Sequence, residues 1–345
     1  MSEPPRPRSM LPNATRAIVL GAIVIVLSLL AAVIVVRLAR PAEIPHPPIG
    51  LEVLGTPPPT SATDVIARES RRLTSPPGPD EVHQRFLESS PDADLVIDDA
   101  LRAAIAGIDR ARLDDLGRLV DAIYTGAPMG DRCADLDARC PGLEILRAAQ
   151  AAELVLLDRW IAGDREGATR LLIRLLLSSM ELARTGRAVM TQVVAVSTLL
   201  RATGLVVMLQ RDGLTIEGPL RAALEPVADP SLDMGRGWIE EMHRTERALR
   251  TLPPYGIVEQ LAFDRAAAAR AIYVGQEACV RYARDPSAPR PAPLPLPTPS
   301  GAFVSSQTEL ALIEAILPEC ERMIDSARSR LDRSRDRARV LLARP

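Results

Sequence analysis

The chain has no lysine. All 42 basic residues are arginine, and Asn13 is the only asparagine among 345 residues, the bias expected of GC-rich coding. Aromatic residues are 3% of the chain, too few for the stacking platforms that hold single-stranded nucleic acid. Histidine occurs three times, at His46, His83 and His243. Gly-x-Gly-x-x-Gly, the P-loop, Gly-x-Ser-x-Gly and Cys-x-x-Cys are all missing. The glycine-cradled phosphate, the serine elbow and the paired-cysteine zinc site therefore each lack the residues they need. No stretch alternates apolar and polar residues with period two, so no strand is expected. Hydrophobic residues at 47% and charged residues at 25% are ordinary for a globular chain and argue against a collagen, a multi-span transporter or a wholly disordered protein.

One long uncharged run stands near the N-terminus. Residues 17–36 carry no charge and are bracketed by Arg16 and Arg37. At about 1.5 Å per residue, 20 helical residues span roughly 30 Å, the thickness of a bilayer's hydrocarbon core. The exit, Arg37-Leu38-Ala39-Arg40-Pro41, offers no small-x-small cleavage site, and the first cysteine is Cys133, so an uncleaved anchor is expected. Arg6, Arg8 and Arg16 precede the span and Arg37 and Arg40 follow it. That bias puts residues 1–16 in the cytoplasm and the bulk of the chain in the periplasm of a bacterial inner-membrane protein. Ala17, Gly21, Ser28 and Ala32 share one helical face and suit a homodimer formed through close helix contact.

Proline punctuates the remainder. Residues 37–60 hold seven of the 31 prolines and read as an extended stalk; residues 286–300 hold seven more and read as a linker. Between and beyond them the apolar period is helical. Helices are expected over 62–73, 80–89, 94–106, 110–124, 142–162, 165–185, 188–211, 216–226, 232–251, 256–284 and 306–342, broken at glycine and proline. The fold class is all-α: an anchor, a stalk, an α-helical domain over 61–285 built as a bundle or array of αα-hairpins, and a C-terminal arginine-rich segment over 301–345. Residues 188–200 carry no charge. Arg201 and four Ser/Thr side chains in 188–209 favour a buried core helix over a second membrane span. The unit 152–183, two helices joined at Gly163-Asp164 with Ala168 just beyond, resembles the hairpin of tetratricopeptide-like repeats. No second copy follows at that period, so it reads as a single αα-hairpin.

The chemistry-bearing residues are few. Cys133 and Cys140 bracket a short loop, and Cys279 and Cys320 flank the second proline tract; two disulfides, Cys133–Cys140 and Cys279–Cys320, fit an oxidising compartment. Glu240 and His243 have the Glu-x-x-His spacing that resembles half of a ferritin-like di-iron site. The other half is missing, which leaves them weak metal candidates. Residues 321–345 hold eight arginines against four acids, a basic helix able to meet an anionic surface or to pair with itself. The five arginines and one glutamate of the first 40 residues leave 37 arginines against 43 acids beyond them, which speaks against nucleic acid as a partner. No catalytic residue and no cofactor is assigned. The expectation is an envelope interaction or scaffold protein with a protein partner. The alternatives are a metal-binding or enzymatic bundle centred on Glu240 and His243, and a sensor that binds a small molecule and acts through a separate membrane protein.

Overall fold

The computed structural model describes residues 23–32, 34, 44–55, 61–73, 96–125, 129–130, 142–229, 232–251, 265–291 and 319–343. All regular structure among them is helical. The expected helix over 80–89, and the parts of others at 256–264 and 306–318, lie outside the described residues. So do Cys133 and Cys140.

The helices are α1 (Ile23–Ala32), α2 (Ala62–Arg68), α3 (Ser70–Leu73), α4 (Asp99–Ala106), α5 (Arg110–Thr125), α6 (Gly142–Ile161), α7 (Arg165–Thr185), α8 (Val189–Arg211), α9 (Gly218–Ala228), α10 (Arg236–Thr251), α11 (Arg265–Arg284) and α12 (Glu319–Ala343), with a 3-10 turn at Leu51–Leu54. Their ends follow local chemistry. Ser61 and Asp64 close a capping box at the start of α2. Asp98, not residue 94, starts α4, because its carboxylate accepts the Leu101 amide and satisfies a donor that the first turn leaves open. The α6–α7 hairpin turns at Gly163, whose φ of 90° suits glycine, and Asp164 caps α7 through the Gly167 amide.

α8 is the centre. α6, α7, α10 and α12 all pack on it, and 78% of its most apolar window is buried. A helix apolar on every side needs this surrounding. Its one internal charge, Arg201, is neutralised by Glu153 of α6: Nε lies 2.8 and 3.1 Å from the two carboxylate oxygens and the second nitrogen 2.5 Å away. Glu153 is fully buried and Arg201 only 8% exposed. Burial pushes the neighbouring Tyr124 hydroxyl far above its ordinary pKa, and the Glu153 charge adds to the effect.

Two further devices tie the bundle. At the C-terminal end of α8, Asp212 accepts the Trp160 indole N–H at 2.8 Å and pairs with Arg102 and Arg165, so one carboxylate joins α4, α6 and α7. Along α12, Cys320, Ile324, Ala327, Leu331, Ser334, Ala338 and Leu341 are buried. This alternation of four and three residues is a coiled-coil-like seam, laid on α8 and α9. α12 thus shares the core with the preceding helices instead of forming a separate C-terminal unit.

Residues 44–55 also correct the expectation. They fall within the expected stalk, yet Ile44 and Leu54 are buried and join the main core. The folded unit therefore begins at or before Ile44 instead of residue 61.

Candidate functional site

α10 carries seven arginine and glutamate residues among its 16. Its surface meets three things: the start of α8, the length of α11, and the strap formed by residues 44–55. Gly237 makes the first contact possible, since a Cβ there would lie 2.7 Å from the Val189 backbone nitrogen. Gln192 fills the space beside it, accepting the Gly237 amide at 3.1 Å and donating to the Asp233 carbonyl at 3.0 Å.

The strap is held mostly by its carbonyls. Arg250 donates to Ile44 O at 3.0 Å, His243 Nε2 to Ile49 O at 2.7 Å, Arg236 to Leu54 O at 2.5 Å and Arg187 to Gly55 O at 2.5 Å. The strap therefore runs antiparallel to α10. A carbonyl accepts whatever its side chain, so this docking leaves little mark on the sequence of the docked segment. One side-chain contact adds to it. His46 Nδ1 sits 2.8 Å from Glu246 Oε1, which also accepts from Arg250 at 2.9 Å.

This arrangement relocates the expected metal pair. Glu240 is fully buried and pairs with Arg247 at 2.8 Å. His243 Nε2 meets Ile49 O, and its Nδ1 lies 3.5 Å from Glu246 Oε2. Glu240 Oε2 is buried with no hydrogen-bond partner, but Oε1 is held by Arg247 and His243 Nε2 by the Ile49 carbonyl, and we do not read the two residues as metal ligands. Among the described residues no group of three or more His, Cys, Asp or Glu could hold a metal. His46 is a partner of Glu246. Burial raises the Glu241 carboxyl above its ordinary value against the pull of Arg244. Burial and the Glu246 charge push the Tyr273 hydroxyl on α11 up to about 12.

Cys279 and Cys320 form the expected disulfide, with Cα atoms 6.2 Å apart. It joins α11 to α12, two helices that otherwise touch little. The arginines of α12 are largely turned to the protein itself. Arg330 donates to Ser197 Oγ, Arg337 to Leu200 O at 3.1 Å and Arg339 to Ala228 O at 3.1 Å. Arg328 donates to Tyr282 O and lies over the same tyrosine's ring. A cavity between α8, α10 and α12, lined by Val189, Trp238 and Met323 among others, has room for about one water molecule, well below what a small-molecule ligand fills.

α1 contrasts with α8. Ile23, Val24, Ile25, Val26, Leu27, Leu29 and Leu30 are all 45–62% exposed. At 100° per residue these positions cover the whole circumference, so no face of α1 is sheltered by the domain. Ser28 and Ala32 of the expected dimer face are exposed too; Ala17 and Gly21 lie outside the described residues. Sequence reasoning missed the Glu153–Arg201 pair and the carbonyl-reading arginines, whose partners stand 46 to 206 residues away.

No protein family, curated protein or solved structure matches the chain.

Proposed function

We propose that the chain is a single-span, membrane-anchored interaction protein of the bacterial cell envelope, with its α-helical domain displayed on the periplasmic side to a protein partner. The observation that carries the reading is the contrast between its two apolar helices. α8 buries 78% of its most apolar window; α1 leaves seven large apolar side chains open on every side. Exposing that much apolar surface to water is unfavourable by roughly 25 cal/mol per Å2, and a bilayer removes the cost. The flanking arginines and the Cys279–Cys320 disulfide fit an N-in orientation and an oxidising compartment.

Docking of the strap gives the reading a geometry. Between Val36, where the expected span ends, and Ile44 only seven residues intervene. Fully extended they reach about 25 Å, so the domain works close to the bilayer.

Membrane fractionation tests the proposal. The full chain is expected to stay in the membrane pellet after alkaline carbonate and to be released by detergent, whereas a chain lacking residues 17–36 should appear in the soluble fraction, still folded. Full-length protein recovered in the carbonate supernatant would remove the anchor from the account.

A further inference from the structure

One cavity brings soft side chains from two elements together. It lies between the start of α8, the turn that opens α10 and the first half of α12, and Met234, Trp238 and Met323 all line it. Met234 and Trp238 stand four residues apart, so one helical turn sets them on the same side of the chain. Both are buried, while Met323 is only partly so, which gives the cavity its mouth at α12.

Packing alone does not account for the space. Methionine is the side chain best able to close an irregular gap, yet two of them and an indole leave room for about one water molecule. A buried water needs about two to four polar partners. Among the described residues, Gln192 is the one polar side chain in the wall. Its amide already serves the Gly237 N–H and the carbonyls of Asp233 and Ala183.

The two methionines are also held from behind, both by α11. Beside Met234, Asp233 accepts the Gly235 amide at 2.9 Å and binds Arg284 at 2.7 Å. Beside Met323, Cys320 is bonded to Cys279, and Asp325 accepts the Tyr282 hydroxyl at 2.6 Å. The backbone is thus fixed on either side of the cavity, as a preorganised ligand site requires.

We propose that Met234, Met323 and Trp238 form a binding site for a soft monovalent cation, Cu(I). Thioether sulfur selects Cu(I) over harder ions, and an indole face attracts a cation placed over it. Zn(II), Ca(II) and Mg(II) prefer imidazole, thiolate or carboxylate, and no such group lines the cavity among the described residues. Room for one water molecule suits one dehydrated ion. The partly exposed Met323 is its entry. The step is coordination alone: each sulfur donates a lone pair, and no covalent bond breaks.

Methionine ε-methyl NMR of the full chain in detergent micelles reads the site directly. The probe is Ag(I) in chloride-free buffer, a redox-inert ion of the same charge and softness. Of the nine methionines, Met234 and Met323 are expected to shift together and saturate at one ion per chain, with Trp238 fluorescence quenched in step. Met190, 46% exposed, should stay in place over that range, and Zn(II) should move none of the three. Leucine nearly conserves the volume of methionine, so M234L and M323L test the ligands without emptying the core. Loss of a group that merely supports a metal ligand weakens binding about 10–100-fold, and loss of either thioether should weaken Ag(I) binding at least as much. Met190 shifting as readily as Met234 and Met323, no shift of those two with Ag(I), or undiminished binding by the leucine variants overturns the proposal. If a variant fails to fold, the parent titration decides. None of these outcomes depends on whether α1 spans a membrane.

Discussion

Replacing Arg201 by methionine tests the central helix most sharply. Glu153 has no exposed surface and Arg201 has 8%, and three N–O distances of 2.5 to 3.1 Å bind them. With the guanidinium gone, the carboxylate has lost its counter-charge in a site that water does not reach. Breaking one side of such a pair costs about 3–5 kcal/mol, whereas replacing both partners by apolar side chains is often neutral or stabilising. R201M should therefore lose about 3–5 kcal/mol, and the double variant E153L/R201M should return to within about 1 kcal/mol of the parent. With a urea slope of about 3 kcal/mol per molar, the single variant's midpoint falls by roughly 1–1.7 M. Equilibrium urea unfolding of the full chain in nonionic detergent, with the disulfide intact, measures both. R201M within about 1 kcal/mol of the parent, or a double variant as unstable as the single, would refute the claim that a desolvated ion pair sits at the heart of the bundle.

Other perturbations act on the same set of contacts. Converting Cys279 and Cys320 to alanine opens a 41-residue separation and should cost up to about 4 kcal/mol by the loop-entropy estimate. In protein from the native host, alkylation under denaturing conditions without reduction should leave both cysteines unmodified. G237A should lose about 1–3 kcal/mol, because its Cβ would meet the Val189 backbone at 2.7 Å; a thermal shift below about 2 °C would argue against that close crossing. Burial alone would raise the Asp233 carboxyl, but the Arg284 guanidinium and the Gly235 amide outweigh it and hold it below its ordinary value. Its contribution is therefore present above about pH 4 and lost as pH falls through the lowered folded value. D233N should be less stable than the parent by about 1 kcal/mol at most at pH 7, since both side chains are about a third exposed, and the gap should close as the solution is acidified.

Much of the helical framework was legible because the chain marks its own turns. Gly163-Asp164, Gly186 and Gly213 separate α6, α7, α8 and α9 from one another, and the expected ranges for the first three of these helices match to within a residue. The core placement of α8 followed from Arg201 and its hydroxyls, even though Glu153, 48 residues away, could not be named as the partner. The cysteine pair across the second proline tract was legible because helices on either side of a linker have few other ways to be clipped. Residues 44–55 were not legible. Their prolines and missing periodicity suggest an extended backbone, whereas Leu51–Leu54 form a 3-10 turn, and nothing in such a segment says that distant arginines will claim its carbonyls. The arginine-rich helix was legible as charge but not as contacts, for a related reason. Composition reports charge, while Arg330, Arg337 and Arg339 spend it on groups of α8 and α9.

The central claim is that α1 spans the membrane and carries the domain to the outer side. Spheroplasts of the native host, treated with a protease that cannot cross the inner membrane, address that claim directly. The domain should be digested, or trimmed to a disulfide-stabilised core, in intact spheroplasts, while a cytoplasmic marker survives. A domain that resists until the spheroplasts are lysed would place it on the cytoplasmic side and contradict the account.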